Sequence, residues 1–252
     1  MTAVELAVQD RRGIDVAARL GVDRVELCSA LELGGLTPPA SLVAHAVARR
    51  DEGGAAVHVL VRPRAGGFLY DADDLAACLA DIELARRAGA DGVVVGSLDA
   101  ESALDADALA RFVEVADGLE VTVHRVVDVA TDPREAVRTA ARAGAIRVLT
   151  SGAAESAGRG IDLLSALAAE HRGGIQIMAG AGVTAADIPR LIAAGVDAVH
   201  VSAKGFVADP LTVTMGVASG ATEAGHWTTD ESLAREVVDA VRTSVRSTAG
   251  ER

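Results

Sequence analysis

Proton-transferring side chains alternate with apolar residues along several short stretches of the chain. One parity of each stretch is valine or leucine and the other carries an ionisable residue, as in Val57-His58-Val59 and Val199-His200-Val201. Carboxylates and imidazoles are the side chains that most often act as general acids and bases in enzymes. On this basis the candidate catalytic residues are Glu26, His58, His124 and His200.

A second set of residues is suited to holding an anion. Guanidinium groups grip carboxylate or phosphate with paired hydrogen bonds, and successive N–H groups of a glycine-rich loop that opens a helix attract negative charge. The sequence predicts an anion site at Arg62, Arg64, Arg125, Gly180, Gly182 and Ser202. A tight turn that requires glycine is the alternative interpretation of residues 180–182.

Cys28 and Met178 are the soft donors predicted to lie among these residues. Thiolate and thioether sulfur favour copper(I), so these two residues are the candidate metal ligands. The other cysteine, Cys78, falls in a helical pattern and is predicted to pack as a small apolar residue.

A repeated phrase indicates how the chain positions these side chains. A helix tail, a glycine suited to a helix C-cap and a β-branched run recur at Leu20–Leu27, Ala88–Val95, Ala143–Thr150 and Ala194–Val201. Further strands are predicted at residues 3–8, 55–62, 120–126 and 174–179. Helices are predicted at about 9–29, 39–51, 72–89, 103–117, 132–143, 160–172, 184–194 and 229–247.

Eight strands that alternate with helices predict a parallel sheet, and eight such units in about 250 residues are typical of an α/β fold of the (β/α)8 TIM-barrel type. The first strand is not followed by the G-x-G-x-x-G sequence of a dinucleotide-binding sheet. We predict a single domain over residues 1–252, with the barrel core at about 2–203. The remainder, 204–252, is predicted to hold an insertion at 205–228 and the last helix.

One parity of the predicted strands is unusually polar for a barrel interior, which branched aliphatic residues normally fill. Burial of such groups is unfavourable unless each finds a partner or a ligand. Two interpretations follow. The polar groups line a functional cavity, or they form a closed ion-pair network in which Glu5 and Glu26 are matched to Arg62 and Arg125.

Charge and composition exclude several classes of protein. Lys and Arg number 24 and Asp and Glu 36, so the net charge is −12, which repels nucleic-acid phosphates and anionic membranes. No apolar run reaches the length of a membrane span, and the first residues lack the pattern of a signal peptide. Two cysteines suit a reducing compartment. We therefore expect a cytoplasmic protein with neither a nucleic-acid nor a membrane partner.

Several phrases taken together resemble the CutC family, which is named for copper homeostasis. They occur in order over residues 23–202: Asp23-Arg-Val-Glu-Leu-Cys28, Gly34-Gly-Leu-Thr-Pro38, Arg62-Pro-Arg64, Gly67-Phe68-x-Tyr70, His124-Arg125-x-x-Asp128, Arg147-Val-Leu-Thr-Ser-Gly152, Ile177-Met-Ala-Gly-Ala-Gly-Val183 and His200-x-Ser202. The resemblance implies a cytoplasmic (β/α)8 barrel that handles or binds copper. Its phrases add Ser151 to the anion-binding candidates.

The sequence leaves two functions open. The first is a copper-homeostasis protein that binds copper(I) through Cys28, with Met178 or a histidine as a further ligand. The second is a barrel enzyme that acts by acid/base chemistry on a small phosphorylated or carboxylated metabolite. A barrel occupied by its own ion pairs is a third, inert alternative. The expected partner is thus a copper ion or a small anionic metabolite, and self-association into a homo-oligomer is the general expectation.

Overall fold

The computed structural model describes residues 2–210 and 225–250. Eight of its strands are β1 (Ala3–Val8), β2 (Arg24–Leu27), β3 (Ala56–Leu60), β4 (Gly92–Val95), β5 (Glu120–Val123), β6 (Arg147–Thr150), β7 (Gln176–Ala179) and β8 (Ala198–Val201). They are parallel neighbours in chain order, and the sheet closes because β1 pairs with both β2 and β8. The predicted (β/α)8 TIM barrel is confirmed.

The helices surround this barrel. In the described part of the chain they are α1 (Arg11–Leu20), α2 (Ala40–Asp51), α3 (Ala72–Arg87), α4 (Ala106–Ala116), α5 (Pro133–Ala143), α6 (Ile161–Glu170), α7 (Ile188–Ala193) and α8 (Glu231–Gly250). Short 3-10 helices lie at Leu31–Leu33 and Arg125–Asp128, directly after β2 and β5. None of these helices combines the length and the apolar run that crossing a bilayer requires.

Two predicted helix boundaries were wrong. α1 ends at Leu20, because Gly21 adopts a left-handed conformation (φ 61°) and its N–H bonds to carbonyl oxygens of the last turn. The predicted helix over 9–29 therefore stops there, and β2 follows at Arg24. The helix predicted at 184–194 begins only at Ile188, because Thr184 donates its N–H and hydroxyl to Asp187 in a preceding turn.

The aspartates of the repeated phrase tie adjacent strands together at the amino end of the barrel. Asp23, Asp91 and Asp197 each accept a hydrogen bond from a backbone N–H of the preceding strand, at 2.7, 2.8 and 2.8 Å. Ile146 stands at the equivalent position of the remaining phrase, Ala143–Thr150. In three of its four occurrences the repeated phrase thus ties a strand to the preceding neighbour in the barrel.

Side chains of one parity point into the barrel. Arg24 Nη2 of β2 lies 3.6 Å from Met178 Sδ of β7, although these strands are not neighbours, so both side chains must reach the axis. Glu5 and His58 on this parity are fully buried. The opposite parity, which includes Leu27 and Val199, is also fully buried and packs with the helices in the main hydrophobic core.

The chain between β8 and α8 forms a small antiparallel hairpin of β9 (Lys204–Ala208) and β10 (Gly225–Thr229). This hairpin matches the insertion predicted at 205–228 to within one residue at each end. Residues 211–224 of the insertion lie outside the described residues. β10 packs on α1, where Thr228 Oγ1 donates to Asp10 at 2.6 Å. That the whole chain is one domain stays a prediction.

Candidate active site

A cavity of about 330 Å³ opens at the carboxyl end of the barrel. Active sites of TIM barrels are built at this end, from the loops that follow the strands. Seven of the residues predicted for the site line the cavity: Glu26, Arg62, His124, Arg125, Gly182, His200 and Ser202. Because side chains alternate along each strand, those on the inward parity meet inside the barrel. Residues of the loops after β3, β7 and β8 also form part of the cavity wall.

Four other predicted residues lie elsewhere. His58 is buried next to Gly92 on β4, with its Nε2 3.3 Å from Glu120 Oε2, an ion-pair distance without hydrogen-bond alignment. Arg64 points to the surface, where it pairs with Asp74 at 2.8 Å. Ser151 and Gly180 are buried behind the cavity wall. A Cβ at Gly180 would lie 2.4 Å from Leu149 Cδ1, so this glycine leaves room for the wall itself.

Glu5 is the centre of a buried charged group beneath the cavity. Its Oε2 accepts from Arg24 Nε at 2.9 Å and its Oε1 lies 2.8 Å from His200 Nδ1. A carboxylate oxygen of Glu26 and a ring nitrogen of His200 lie within 4.8 Å of each other and of Glu5. The second oxygen of Glu26, Oε2, is buried and has no hydrogen-bond partner among the described residues.

The surroundings of Glu5 and Glu26 give these two carboxyl groups very different pKa values. Burial raises the pKa of Glu5, but the hydrogen bond with His200 and the charges of His200 and Arg24 outweigh it and hold the pKa well below its ordinary value. Burial raises the pKa of Glu26 to about 7, because only the charge of His200 opposes it. Burial lowers the pKa of His200, yet the neighbouring Glu26 and Glu5 raise it overall. Two carboxylates with such different pKa values suit an ion-pair anchor and a proton carrier.

His124 presents a neutral donor to the same cavity. Its Nδ1 accepts the N–H of Val126 at 3.2 Å, so in the neutral ring the proton is on Nε2. That Nε2 is buried without a partner in the described structure. Burial and the nearby charge of Arg62 lower the pKa of His124 to about 3, so the imidazole is uncharged at neutral pH. The ring of Phe68 packs against it at 4.8 Å between centroids.

Arg62 joins two of the loops that form the mouth. Its Nη1 donates to the carbonyl oxygens of Leu33 and Gly35, and its Nη2 to that of Gly66, each at 2.8 Å. The Nε of Arg62 is buried and has no partner among the described residues. Arg62 therefore does not form the alternative ion-pair network with Glu5 and Glu26, since its guanidinium is occupied mainly by backbone carbonyls.

Arg125 is held by Asp128, a carboxylate that stands in one of the family phrases but not among the candidate site residues. Its Nε pairs with Asp128 at 2.8 Å and its Nη2 donates to Ser151 Oγ at 3.3 Å, so Arg125 does not form the alternative network with Glu5 and Glu26 either. Asp128 also accepts the N–H and the hydroxyl of Ser151 and the hydroxyl of Thr150. Asp128 thus positions Arg125 at the cavity and fastens the loop after β6.

Arg24 and Arg147 are further residues that the sequence reasoning missed. Arg147 donates to Thr122 at 3.0 Å and to Gln176 at 2.8 Å, and pairs with Glu120 at 3.1 Å. Both arginines lie on the inward parity of their strands, two residues before Glu26 and Leu149. Their position on the inward-facing parity of the predicted strands could have identified both arginines from the sequence.

The loops after β7 and β8 line the cavity with backbone in the left-handed region. Ala181 and Ala203 line it with φ of 79° and 40°, and Gly182 has φ of 58°. The N–H groups of Gly182 and Val183 have no acceptor within the described residues. Left-handed conformations cost energy in alanine and cluster at functional sites. Free N–H groups in such a turn form a concave site for an anion.

The two sulfur atoms do not fit a copper(I) site. Cys28 packs against Leu60 and Val94 and its thiol donates to a backbone carbonyl at 3.6 Å. Burial, with the charges of Glu26 and Glu32, raises the pKa of this thiol far above its ordinary value and so disfavours the thiolate that binds metal. Met178 packs in a different apolar cluster, and its Sδ contacts the Arg24 guanidinium, a cation that would repel a metal ion.

The oxygen and nitrogen donors around Glu5 fit a metal no better. Glu5, Glu26 and His200 lie close enough to share an ion. However, both oxygens of Glu5 are already bonded, to Arg24 and to His200. A metal ion would have to displace one of these partners and lie beside a buried guanidinium, which is unfavourable.

Comparisons with known proteins agree on one family. The CutC family model matches residues 2–205. A family protein CutC of Pasteurella multocida is 34% identical over 246 residues, which is 96% of this chain and 98% of the relative. One from Caulobacter vibrioides is 44% identical over 210 residues, 82% of this chain and 84% of the relative.

A solved structure is similar as well. The crystal structure of CutC from Streptococcus agalactiae, described provisionally as a copper homeostasis protein, has a TM-score of 0.75 and 28% identity, and the match covers 79% of this chain and 98% of that one. With the family model matching most of the chain and relatives above 30% identity over nearly their full length, this chain belongs to the CutC family.

Proposed function

We propose that this protein is an enzyme that moves protons on a small phosphorylated or carboxylated metabolite held at the carboxyl end of the barrel. Three buried polar atoms support the proposal: Glu26 Oε2, Arg62 Nε and His124 Nε2 have no partner in the described residues, and all three residues line one cavity. Buried polar groups in native proteins are nearly always hydrogen-bonded. A ligand that meets all three is the simplest way to satisfy them.

The charges of the wall favour an anion. Arg125 lines the cavity, and its Nη1 makes no hydrogen bond within the described residues. On the other side lie the free N–H groups of Gly182 and Val183, with Ser202 next to them in the wall. The loops after strands 7 and 8 are the usual phosphate site of TIM barrels. The volume of about 330 Å³ is at the lower end of the range for small-molecule pockets.

Within this pocket we assign the proton-carrying roles to Glu26 and His200. Glu5 orients the His200 ring through Nδ1, which leaves the other ring nitrogen for the ligand. His124 and Arg62 serve as hydrogen-bond donors to oxygen atoms of the ligand. His58, predicted as catalytic, is instead proposed to stabilise the barrel below the cavity, because Glu120 and Gly92 enclose it.

The test is thermal unfolding with inorganic phosphate, with sodium chloride at matched ionic strength as the reference. A ligand that binds the folded state stabilises it, by about 2.7 kcal/mol at one hundred times its dissociation constant. We expect phosphate to raise the Tm of the wild type and to raise it much less in Arg125→Met. Arg64→Met is the matched control, because Arg64 points away from the cavity, and it should respond like the wild type. Equal shifts in chloride and phosphate would refute the anion site.

Copper handling is the second candidate, and it comes from the family rather than from the geometry. The relative from Streptococcus agalactiae is described provisionally as a copper homeostasis protein, and Cys28 with Met178 are the soft donors that the sequence predicts. A titration with copper(I) against a competing chelator, under reducing conditions, compares the wild type with Cys28→Ser and Cys78→Ser. The enzyme proposal expects weak binding that neither substitution alters. Tight one-to-one binding lost only in Cys28→Ser would establish the copper site.

We also propose a cytoplasmic location, supported by the state of the two cysteines. Cys28 and Cys78 are both buried as free thiols, which suits a reducing compartment. Self-association into a homo-oligomer stays a prediction.

A further inference from the structure

Residues that line the cavity carry one buried hydrogen-bond acceptor and two buried donors that have no partner among the described residues. Glu26 reaches it from β2 and His124 from β5, three strands further around the barrel, so a ligand in the cavity lies between them. Arg62 adds its buried Nε from β3. Each of these atoms lacks a partner in the described structure, and together they match a molecule that offers a proton on one side and oxygen acceptors on the other.

We propose that the reaction is proton transfer next to a carbonyl group, the enolisation of a small α-hydroxy aldehyde or ketone that carries a phosphate. This inference rests on the proposed function and names its substrate class and reaction. A carboxylate oxygen without a competing donor is free to take a proton from carbon. A neutral imidazole N–H is the donor suited to the carbonyl oxygen, because it stabilises the charge that develops there without giving up a full proton in advance.

The buried surroundings of His124 support this role for the ring. The N–H of Val126 fixes Nδ1 as an acceptor and therefore aims the remaining proton, on Nε2, away from the backbone. Phe68, in the loop after β3, packs against the ring. Arg62, whose guanidinium lies 5.2 Å from the centroid of the same Phe68 ring, disfavours protonation of the imidazole.

The step balances within the substrate and the two side chains. Glu26 carboxylate takes the proton from the carbon next to the carbonyl, and the C–H electron pair forms the C=C bond of an enediolate. The carbonyl π pair moves onto oxygen, where the N–H of His124 donates. Transfer of the hydroxyl proton to the former carbonyl oxygen, and return of the carbon-bound proton by Glu26 to the neighbouring carbon, complete an isomerisation. The sum needs no oxidant, reductant or second substrate.

Proton abstraction next to a carbonyl can also proceed through a Schiff base with a lysine, but no lysine lines this cavity. Lys204 is the single lysine of the chain, and its ammonium group lies 5.1 Å above the ring of Trp227 on the exposed hairpin. It does not line the cavity. Proton abstraction by a carboxylate, which needs no amine, is the route that the lining residues favour.

The test follows the exchange of carbon-bound protons of dihydroxyacetone phosphate for deuterium in D2O, by proton NMR. We expect exchange by the wild type, a loss of at least 100-fold in Glu26→Gln, and a loss of about 100-fold in His124→Ala, with partial recovery in His124→Gln, which keeps an N–H donor. Glu32→Gln, on the exposed surface of the loop after β2, should exchange like the wild type. All variants are purified identically, since a contaminating isomerase would act equally in each.

Two negative results have different meanings. If dihydroxyacetone phosphate raises the Tm of the wild type but exchange does not exceed that of Glu26→Gln, the inference on the reaction is refuted and the anion-binding enzyme stands. If neither phosphate nor dihydroxyacetone phosphate raises the Tm, the proposed function is refuted as well. Circular dichroism of each variant shows whether a loss of exchange reflects unfolding.

Discussion

Glu5 and Glu26 are carboxylates of neighbouring strands, yet their environments give them opposite behaviour. Both oxygens of Glu5 are bonded, to Arg24 and His200. Glu26 has one buried oxygen without a partner in the described residues. The folded state therefore keeps Glu5 charged, whereas Glu26, with its pKa raised to about 7, holds or releases a proton near neutral pH.

Replacement of Glu26 by glutamine should stabilise the protein in a pH-dependent way. Because burial raises the folded pKa from the ordinary 4.5 to about 7, the folded state binds the proton more tightly, and wild-type stability falls as pH rises through this window. Glu26→Gln removes that loss, which is about 3 kcal/mol at most. We expect a Tm several degrees above wild type at pH 8 and close to it at pH 5. A difference that does not change between the two pH values would contradict this assignment, and Glu32→Gln is the exposed control.

Removal of Arg24 should be strongly destabilising. The side chains of Arg24 and Glu5 are 10% and 0% exposed, and loss of one partner of a buried pair leaves an uncompensated charge at a cost of about 3–5 kcal/mol. Because His200 remains beside Glu5, we expect Arg24→Met to lower the free energy of unfolding by an amount near the lower end of this range. Unfolding in urea measures the loss.

Arg64→Met tests whether this cost comes from burial. The Arg64–Asp74 pair is at the surface, with Arg64 43% exposed, and exposed pairs contribute about 1 kcal/mol or less. Equal losses of unfolding free energy in Arg24→Met and Arg64→Met would show that burial does not make the inner pair more important for stability.

The sequence predicted which residues face the cavity better than it predicted their partners. Alternation along the strands placed Glu26, His124 and His200 on one face, and they do line one cavity. Partners depend on strand register, which no local pattern specifies: Glu5 is opposite Arg24 on one side and His200 on the other. For this reason the sequence left open the alternative in which Arg62 and Arg125 pair with these carboxylates.

At the scale of elements, the repeated phrase predicted four of the eight strands, β2, β4, β6 and β8, because the same local signals recur at these joints. The other four strands were predicted from the stretches between them. The boundaries were less predictable. α1 ends at a left-handed glycine, and α7 starts after a turn that a side-chain hydrogen bond closes. The hydrogen bonds of Asp23, Asp91 and Asp197 across neighbouring strands explain why the phrase repeats. They were not deducible without knowledge of which strands are adjacent.

The loop between β6 and α6 has no space for a side chain at Gly160. A Cβ there would lie 1.9 Å from the carbonyl oxygen of Ser151 and 2.9 Å from Gly152 Cα. Backbone atoms cannot move away as a flexible side chain would, so we expect Gly160→Ala to lower the free energy of unfolding by about 3 kcal/mol or more.

Gly67→Ala is the matched control for this substitution. Its Cβ would meet nothing within 4 Å, and its φ is not in the left-handed region. We expect a change in stability close to zero, measured by the same denaturant unfolding. A loss equal to that of Gly160→Ala would show that the cost does not come from the contact with Ser151.

For the molecule as a whole, closure of the sheet joins the first strand to the last. β1 contacts β8 over the register Ala3–Ala198 to Leu6–Val201, so neither end of the barrel core can unfold without opening it. We expect one cooperative transition in calorimetry, with an enthalpy of about 180 kcal/mol near 60 °C on the average of ~0.7 kcal/mol per residue. Two resolved transitions, or a van't Hoff enthalpy well below the calorimetric one, would contradict the prediction of a single domain.

The charge of the whole molecule is opposite in sign to that of the arginines at the cavity. The chain carries a net charge of −12, while Arg62 and Arg125 line the cavity. An anionic substrate must therefore cross a repulsive outer field before it meets these cations, and added salt, which screens charges beyond about 10 Å at 0.1 M, weakens both effects.

The hairpin of β9 and β10 carries the only tryptophan of the chain. The ring of Trp227 contacts Phe206 edge to face at 5.3 Å and lies beneath the Lys204 ammonium group, and Gln9 after β1 bonds to its carbonyl oxygen at 2.6 Å. The fluorescence of Trp227 therefore reports whether this hairpin is packed beside the barrel mouth. Far-ultraviolet circular dichroism follows the helices and strands of the barrel instead, so one heating scan recorded both ways separates loosening of the mouth from loss of the fold.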